Sequence, residues 1–213
     1  MRIFDTQTYI NEKLDIKPIQ KSRLNAISKY TAFPKNKDEL KQLIDKRIEV
    51  EGVNCNLNNI DVSGITDMRE VFYHSPFNGS ISQWDVSNVE DMRFMFAYSK
   101  FNGDISRWNV SKVYNMEGMF LNSVFNNDIS KWDVSGCAVM RQMFKESEFN
   151  GDISKWDVSN VEIMDFMFMF AEKFDQDISG WNVKNVIMYE KERSQMYLMC
   201  PLKNQPSKQP KFN

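Results

Sequence analysis

Carboxylates recur along this chain at a regular interval, and they are the first residues whose spacing suggests chemistry. Asp61, Asp85, Asn109, Asp133, Asp157 and Asn182 form one column, and Asp104, Asp128, Asp152 and Asp177 a second. Acids in register suggest calcium. The sequence lacks both the 12-residue loop closed by a glutamate and the nonapeptide spacing of calcium-binding β-rolls, so no metal is expected. Asp85, Asp133 and Asp157 keep two readings. They accept turn amides and are compensated by the neighbouring Arg107, Lys131 and Lys155, or they form a stripe that a partner binds.

Other reactive residues point away from catalysis. His74 is the only histidine, and no nucleophile stands at a recognisable spacing from it, so it reads as a surface loop residue. Cys55, Cys137 and Cys200 are odd in number and far apart, which suits neither a disulfide framework nor a metal pair and fits a reducing compartment. Cys137 occupies a column otherwise held by Val89, Val113 and Val161, which predicts a buried, inert thiol. There is no P-loop, dinucleotide fingerprint, zinc pair or glycosidase-type carboxylate pair. The chain is expected not to be an enzyme and to need no cofactor.

Charge narrows the partners. Lysine plus arginine (27) nearly balance aspartate plus glutamate (29), so no whole-molecule field draws the chain to nucleic acid or an anionic membrane. No 18-residue apolar run is present, so membrane insertion is not expected. The first residues lack the basic start and apolar run of a Sec signal. The expected location is cytoplasmic, the alternative being the cell surface or secretion by a non-Sec route.

These columns exist because the chain repeats itself. Phe77, Phe101, Phe125 and Phe149 recur with one constant period, and Phe174 follows after a one-residue insertion. Trp84, Trp108, Trp132, Trp156 and Trp181 keep step, with an isoleucine three residues before each and a valine two after. Leu57, Ile60, Val62, Ile65, Met68 and Phe72 extend the frame back to a degenerate first repeat, making about six. The I-x-x-W-x-V stretch places tryptophan and valine two apart, the spacing of a strand with one buried face. Val89, Met92, Met95 and Phe96 then fall at intervals of three and four, which predicts a short helix, and Ser87 with Glu90 and Ser159 with Glu162 read as capping boxes. Asn78-Gly79, Asn102-Gly103 and Asn150-Gly151 read as turns at positive φ. The expected fold is a leucine-rich-repeat-like α/β solenoid of about six 24-residue coils, each a short parallel strand plus a short helix.

Three segments follow: residues 1–52 as a helical N-terminal cap, 53–197 as the solenoid and 198–213 as a tail. In the cap, Asn36 to Glu39 begins a helix whose face carries Leu40, Leu43, Ile44 and Ile48. Upstream, Tyr9, Ile10 and Leu14 suggest one helix, Pro18 a break, and Leu24, Ile27 and Tyr30 another. Residues 187–198 should close the stack. The tail, with three prolines and no acid, reads as a loosely ordered terminus or a docking peptide.

The repeats FNGDISRWNVSKVYNMEGMF and FNGDISKWDVSNVEIMDFMF resemble the BspA-type leucine-rich-repeat family of bacterial surface proteins, through the F-N-x-D-I-S-x-W-x-V-S signature. The resemblance runs from Val53 to about Tyr189. It implies a right-handed solenoid and adhesion or other protein binding, with no catalytic residues.

Comparing repeats within the chain locates a candidate surface. The columns of Glu90, Asp91, Arg93, Phe94, Ala97 and Tyr98 vary, whereas the strand and turn columns barely change. Phe94, Tyr98, Phe166 and Phe170 put aromatics where other repeats have polar residues, and aromatics favour binding hot spots. The expected function is a monomeric, non-catalytic module that binds a protein. The alternative is a cell-surface or secreted bacterial adhesin.

Overall fold

The computed structural model describes residues 30–187 and 190–212. The helix expected around Tyr9 to Leu14 lies outside them, as do Leu24 and Ile27 of the second expected helix, while its last residue, Tyr30, is described and is in no helix. Helix α1, Lys37–Glu51, begins where Asn36 accepts the Glu39 amide, and it buries Leu40 and Ile44. Just before it, Ala32 bridges Ile60 in parallel, so residues 30–33 and α1 together cover the N-terminal end of a stack of repeats.

The expected α/β solenoid, with a strand and a helix in each of about six coils, is not what the chain forms. Among the described residues there is no strand and no sheet, only isolated parallel bridges such as Asp67 to Asp91 and Asp91 to Asn115. Among the described residues the α-helices are α1 and α2, Glu190–Met196, and both lie outside the repeats. Each I-x-x-W segment is closed by a turn: the Trp84 amide donates to the Ile81 carbonyl at 3.1 Å, and the later repeats match it. Ser87 and Ser159 cap no helix.

The segment expected to be helical is a ribbon of turns. Val71 donates to Met68, Tyr73 to Glu70 and Ser75 to Phe72, each three residues back. The amides between them point along the stack, Met68 to Asp91, Glu70 to Arg93, Phe72 to Met95 and His74 to Ala97, at 2.9–3.0 Å. An α-helix would spend all of these amides on carbonyls four residues back. To turn them outward, Glu70 (φ 60°) and His74 (φ 54°) take left-handed backbone, as the third residue of a type II turn must. The ribbon buries Met68, Val71, Phe72 and Ser75. That is the three-and-four spacing of a helix, and it is why the apolar pattern does not separate the two.

Stacked rings fill the core. Phe72, Phe96, Phe120, Phe144 and Phe168 form one buried file with centroids 5.3–5.8 Å apart. The Phe77 file packs against it, and at the C-terminal end Tyr197 lies parallel to Phe168 at 6.2 Å, supplying one further ring. Each tryptophan indole N–H reaches back to the preceding repeat: Trp84 to the Leu57 carbonyl, Trp108 to Ile81, Trp132 to Ile105, Trp156 to Ile129 and Trp181 to Ile153, at 2.9–3.2 Å. The Asn-Gly pairs also differ from expectation, since none of them has positive φ. Gly79 is needed for closeness, because a Cβ there would overlap the Cys55 carbonyl. Asn78, Asn102 and Asn126 each use Oδ1 to accept the amide of the asparagine one repeat later, and Asn150 accepts the Asp175 amide in the same way.

The tail is folded against the stack and is not a loose terminus. It makes 3₁₀ turns at Pro201–Asn204 and Pro206–Lys208, buries Leu202, and ties Lys208 and Gln205 to Asp175 at 2.9 and 2.6 Å. Replacing Trp132 by Phe would remove one of the two donors to the Ile105 carbonyl, the other being the Trp108 amide. This should cost about 0.5–1.5 kcal/mol, read from urea unfolding; an unchanged midpoint would mean that the indole bond adds nothing to what the Trp108 amide already supplies.

Candidate functional site

The turn ribbons of successive repeats lie side by side and make one face of the stack. Two outward columns on it are left-handed in every full repeat: Glu70, Phe94, Gly118, Gln142 and Phe166 in one, His74, Tyr98, Asn122, Glu146 and Phe170 in the other, with φ between 49° and 60°. The backbone demands the conformation, yet the residues are unrelated. Glycine takes it freely, whereas a residue with a Cβ is held there at a cost of roughly 1 kcal/mol. Only Gly118 relieves that cost.

All four candidate aromatics occupy these columns, in two groups. Phe94 is half-buried because its ring lies over Gly118, where a Cβ would overlap it. Tyr98 is 36% exposed. Phe166 and Phe170 are half-buried three repeats away, at the C-terminal end, where the Leu198 carbonyl accepts the Phe170 amide. The sequence reading missed Tyr73 and His74 as members of this surface. The His74 and Tyr98 rings stack at 4.6 Å and 8°, and Tyr73, 38% exposed, stands edge-on to both at 4.5 and 5.8 Å. The signal was present, since His74 precedes Tyr98 by one repeat in the column already singled out for its aromatics.

Beside the aromatics a polar chain ties α1 to the first two repeats. Arg69 grips Asp67 through Nε and Nη2 at 2.7–3.1 Å, Arg93 grips the buried Asp91 in the same way, Arg69 lies 3.7 Å from Asp91, and Lys37 lies 4.0 Å from Asp67. Burial pulls the Asp67 carboxyl up, but hydrogen bonds from Arg69 and the charges of Lys37 and Arg69 outweigh it and hold the group below the usual range. These charges are spent within the molecule.

Asp85, Asp133 and Asp157 lie on another side of the stack, exposed and in one column. Each accepts the amide of the serine two residues on, at 3.0–3.1 Å, and Asp133 also accepts the Ser135 hydroxyl at 2.6 Å. Asp104, Asp128, Asp152 and Asp177 close similar turns. The compensating cations belong to this second column: hydrogen bonds from Ser106, Ser130 and Ser154 do most to lower Asp104, Asp128 and Asp152, and the charges of Arg107, Lys131 and Lys155 add to it. Among the described residues no group of three or more His, Cys, Asp or Glu is placed to hold a metal. Cys137 is fully buried, and burial pushes its thiol up to about 12, which leaves it protonated and unreactive.

Two measurements follow from this geometry. Gly118→Ala should cost about 1–3 kcal/mol, from the left-handed backbone and the Phe94 ring together. Adding Phe94→Ala should return part of it, and a double-mutant cycle showing no coupling would mean that the ring does not rest there. The second concerns acid. Serine hydroxyls and amides hold Asp104, Asp128 and Asp177 below the ordinary aspartate value of 3.8, and the amide leads at Asp152. A carboxyl lowered by folding contributes stability above its unfolded value and loses it as pH falls through the folded one. The urea midpoint should therefore stay level down to about pH 5 and fall below about pH 4, and a midpoint flat to pH 2 would contradict this.

No described helix is long and apolar enough to cross a membrane. No curated protein and no solved structure matches the chain. One family does, over residues 38–148 and 122–206, and these two overlapping segments take in all of the repeats and α1 from its second residue. The chain thus belongs to the repeat-type family described as "Mycoplasma protein of unknown function, DUF285".

Proposed function

We propose that this chain is a non-catalytic interaction module that presents its turn face to a protein partner. One observation carries the reading: large side chains are kept at left-handed positions where glycine would be more stable. Phe94, Tyr98, Phe166 and Phe170 each hold such a position, and none completes a hydrogen-bonded turn with its side chain. Stability sacrificed at a surface site is what a binding requirement leaves behind. The exposed cluster of Tyr73, His74 and Tyr98 supports it, since tyrosine offers large contact area with little entropy to lose. The signature shared with BspA-type surface proteins also favours binding over catalysis.

The test is Tyr98→Gly, which separates the two roles of the ring. If the tyrosine serves a partner, the variant should unfold at the same or a higher urea concentration and yet lose about tenfold or more of a protein that the wild type retains from cell extract. Lys131→Ala, on another side, should retain that protein. A variant that is destabilised by more than about 1 kcal/mol and binds as well as the wild type would make the ring a structural residue and remove the main support for the reading.

A further inference from the structure

Turn-face amides donate towards the C-terminal end of the stack, so each repeat shows a row of alternate carbonyls towards the N-terminal end. In the second repeat that row is Asp91, Arg93, Met95 and Ala97, and the first repeat fills it. The first repeat has the same row: Asp67, Arg69, Val71 and Tyr73. Among the described residues, no backbone or side-chain group donates to these four carbonyls. Helix α1 reaches this edge at one end, through Lys37 beside the Asp67 side chain, and its Leu40 and Ile44 go to the core. Its interior amides are spent within the helix. The other end of the stack differs, because the Leu198 carbonyl receives the Phe170 amide at 2.7 Å.

We propose that this edge receives a linear polypeptide segment of a partner, which adds alternate backbone amides to the four carbonyls and lays an apolar side chain against Tyr73, His74 and Tyr98. The proposal rests on the reading of the turn face as a protein-binding surface and names what it binds. The chemistry of the row selects the class of occupant. Four carbonyl oxygens call for donors, and a row on alternate residues matches the alternate amides of a main chain. A segment in this register continues the interface that already joins each repeat to the next. The aromatic cluster begins at Tyr73, the last residue of the row, so both contacts are available to one segment.

The test uses a random dodecapeptide library displayed on phage and panned against the full chain. Selected peptides are remade in two series, N-methylated at odd or at even backbone amides, and titrated while the carbonyl carbon shifts of the protein are followed by NMR. One series should lose about tenfold or more in affinity while the other stays within about twofold. The unmodified peptide should move the shifts of Asp67, Arg69, Val71 and Tyr73. Equal binding by both series, or shifts confined to other residues, would overturn the edge as the site. If panning selects nothing above an unrelated control protein, the edge proposal falls, while loss of a partner by Tyr98→Gly would leave the turn-face reading standing. Self-association that moves the same four shifts would make a second copy of the chain the occupant and overturn the assignment to a partner segment.

Discussion

Where alternate backbone amides are spent decides nearly everything in this molecule. On the turn face, every second amide stays in its own repeat and closes a turn three residues back, and the others leave for the next repeat, as from Met92 to Asn115 and Phe94 to Glu117. That division forces left-handed backbone at two residues per repeat, which excludes a helix. It also holds neighbouring repeats in a single register, because a slip of one residue would aim the outgoing amides inward. The turns and the stacking are therefore one constraint, and neither could persist without the other.

Given that register, the core follows. Identical columns come into contact with themselves, so a phenylalanine at one position meets the phenylalanine of the next repeat face to face, and the rings form continuous files. A tryptophan can be buried in such a file only if its N–H finds a partner, and the isoleucine carbonyl of the preceding repeat supplies it. Both ends must imitate a repeat. Residues 30–33 do so by pairing with the first, and Tyr197 does so by adding a ring to the last.

Much of the remaining surface is occupied with its own turns. Aspartates and asparagines that look available for a ligand in the sequence accept amides two residues away, and the asparagine file pairs along the stack. The turn face is different because its outward side chains are not needed to close it, so they are free to differ from repeat to repeat. Phe94 over Gly118 shows how such freedom is taken up, with one repeat omitting a side chain where its neighbour places a ring.

The sequence by itself determined the repeat period, the inward columns, helix α1 with its Asn36 cap, and the burial of Cys137, since each of these depends on residues that are neighbours in the chain or copies one period apart. It also pointed to Phe94 and Tyr98. Only the tertiary structure decided that the repeat is built of turns. Inward spacing of three and four is shared by a helix and by a turn ribbon, and the choice between them is made by hydrogen bonds to carbonyls of the next repeat, which local spacing does not record. The same reason hid the grouping of Tyr73, His74 and Tyr98: they become one surface only when the register places one repeat on another.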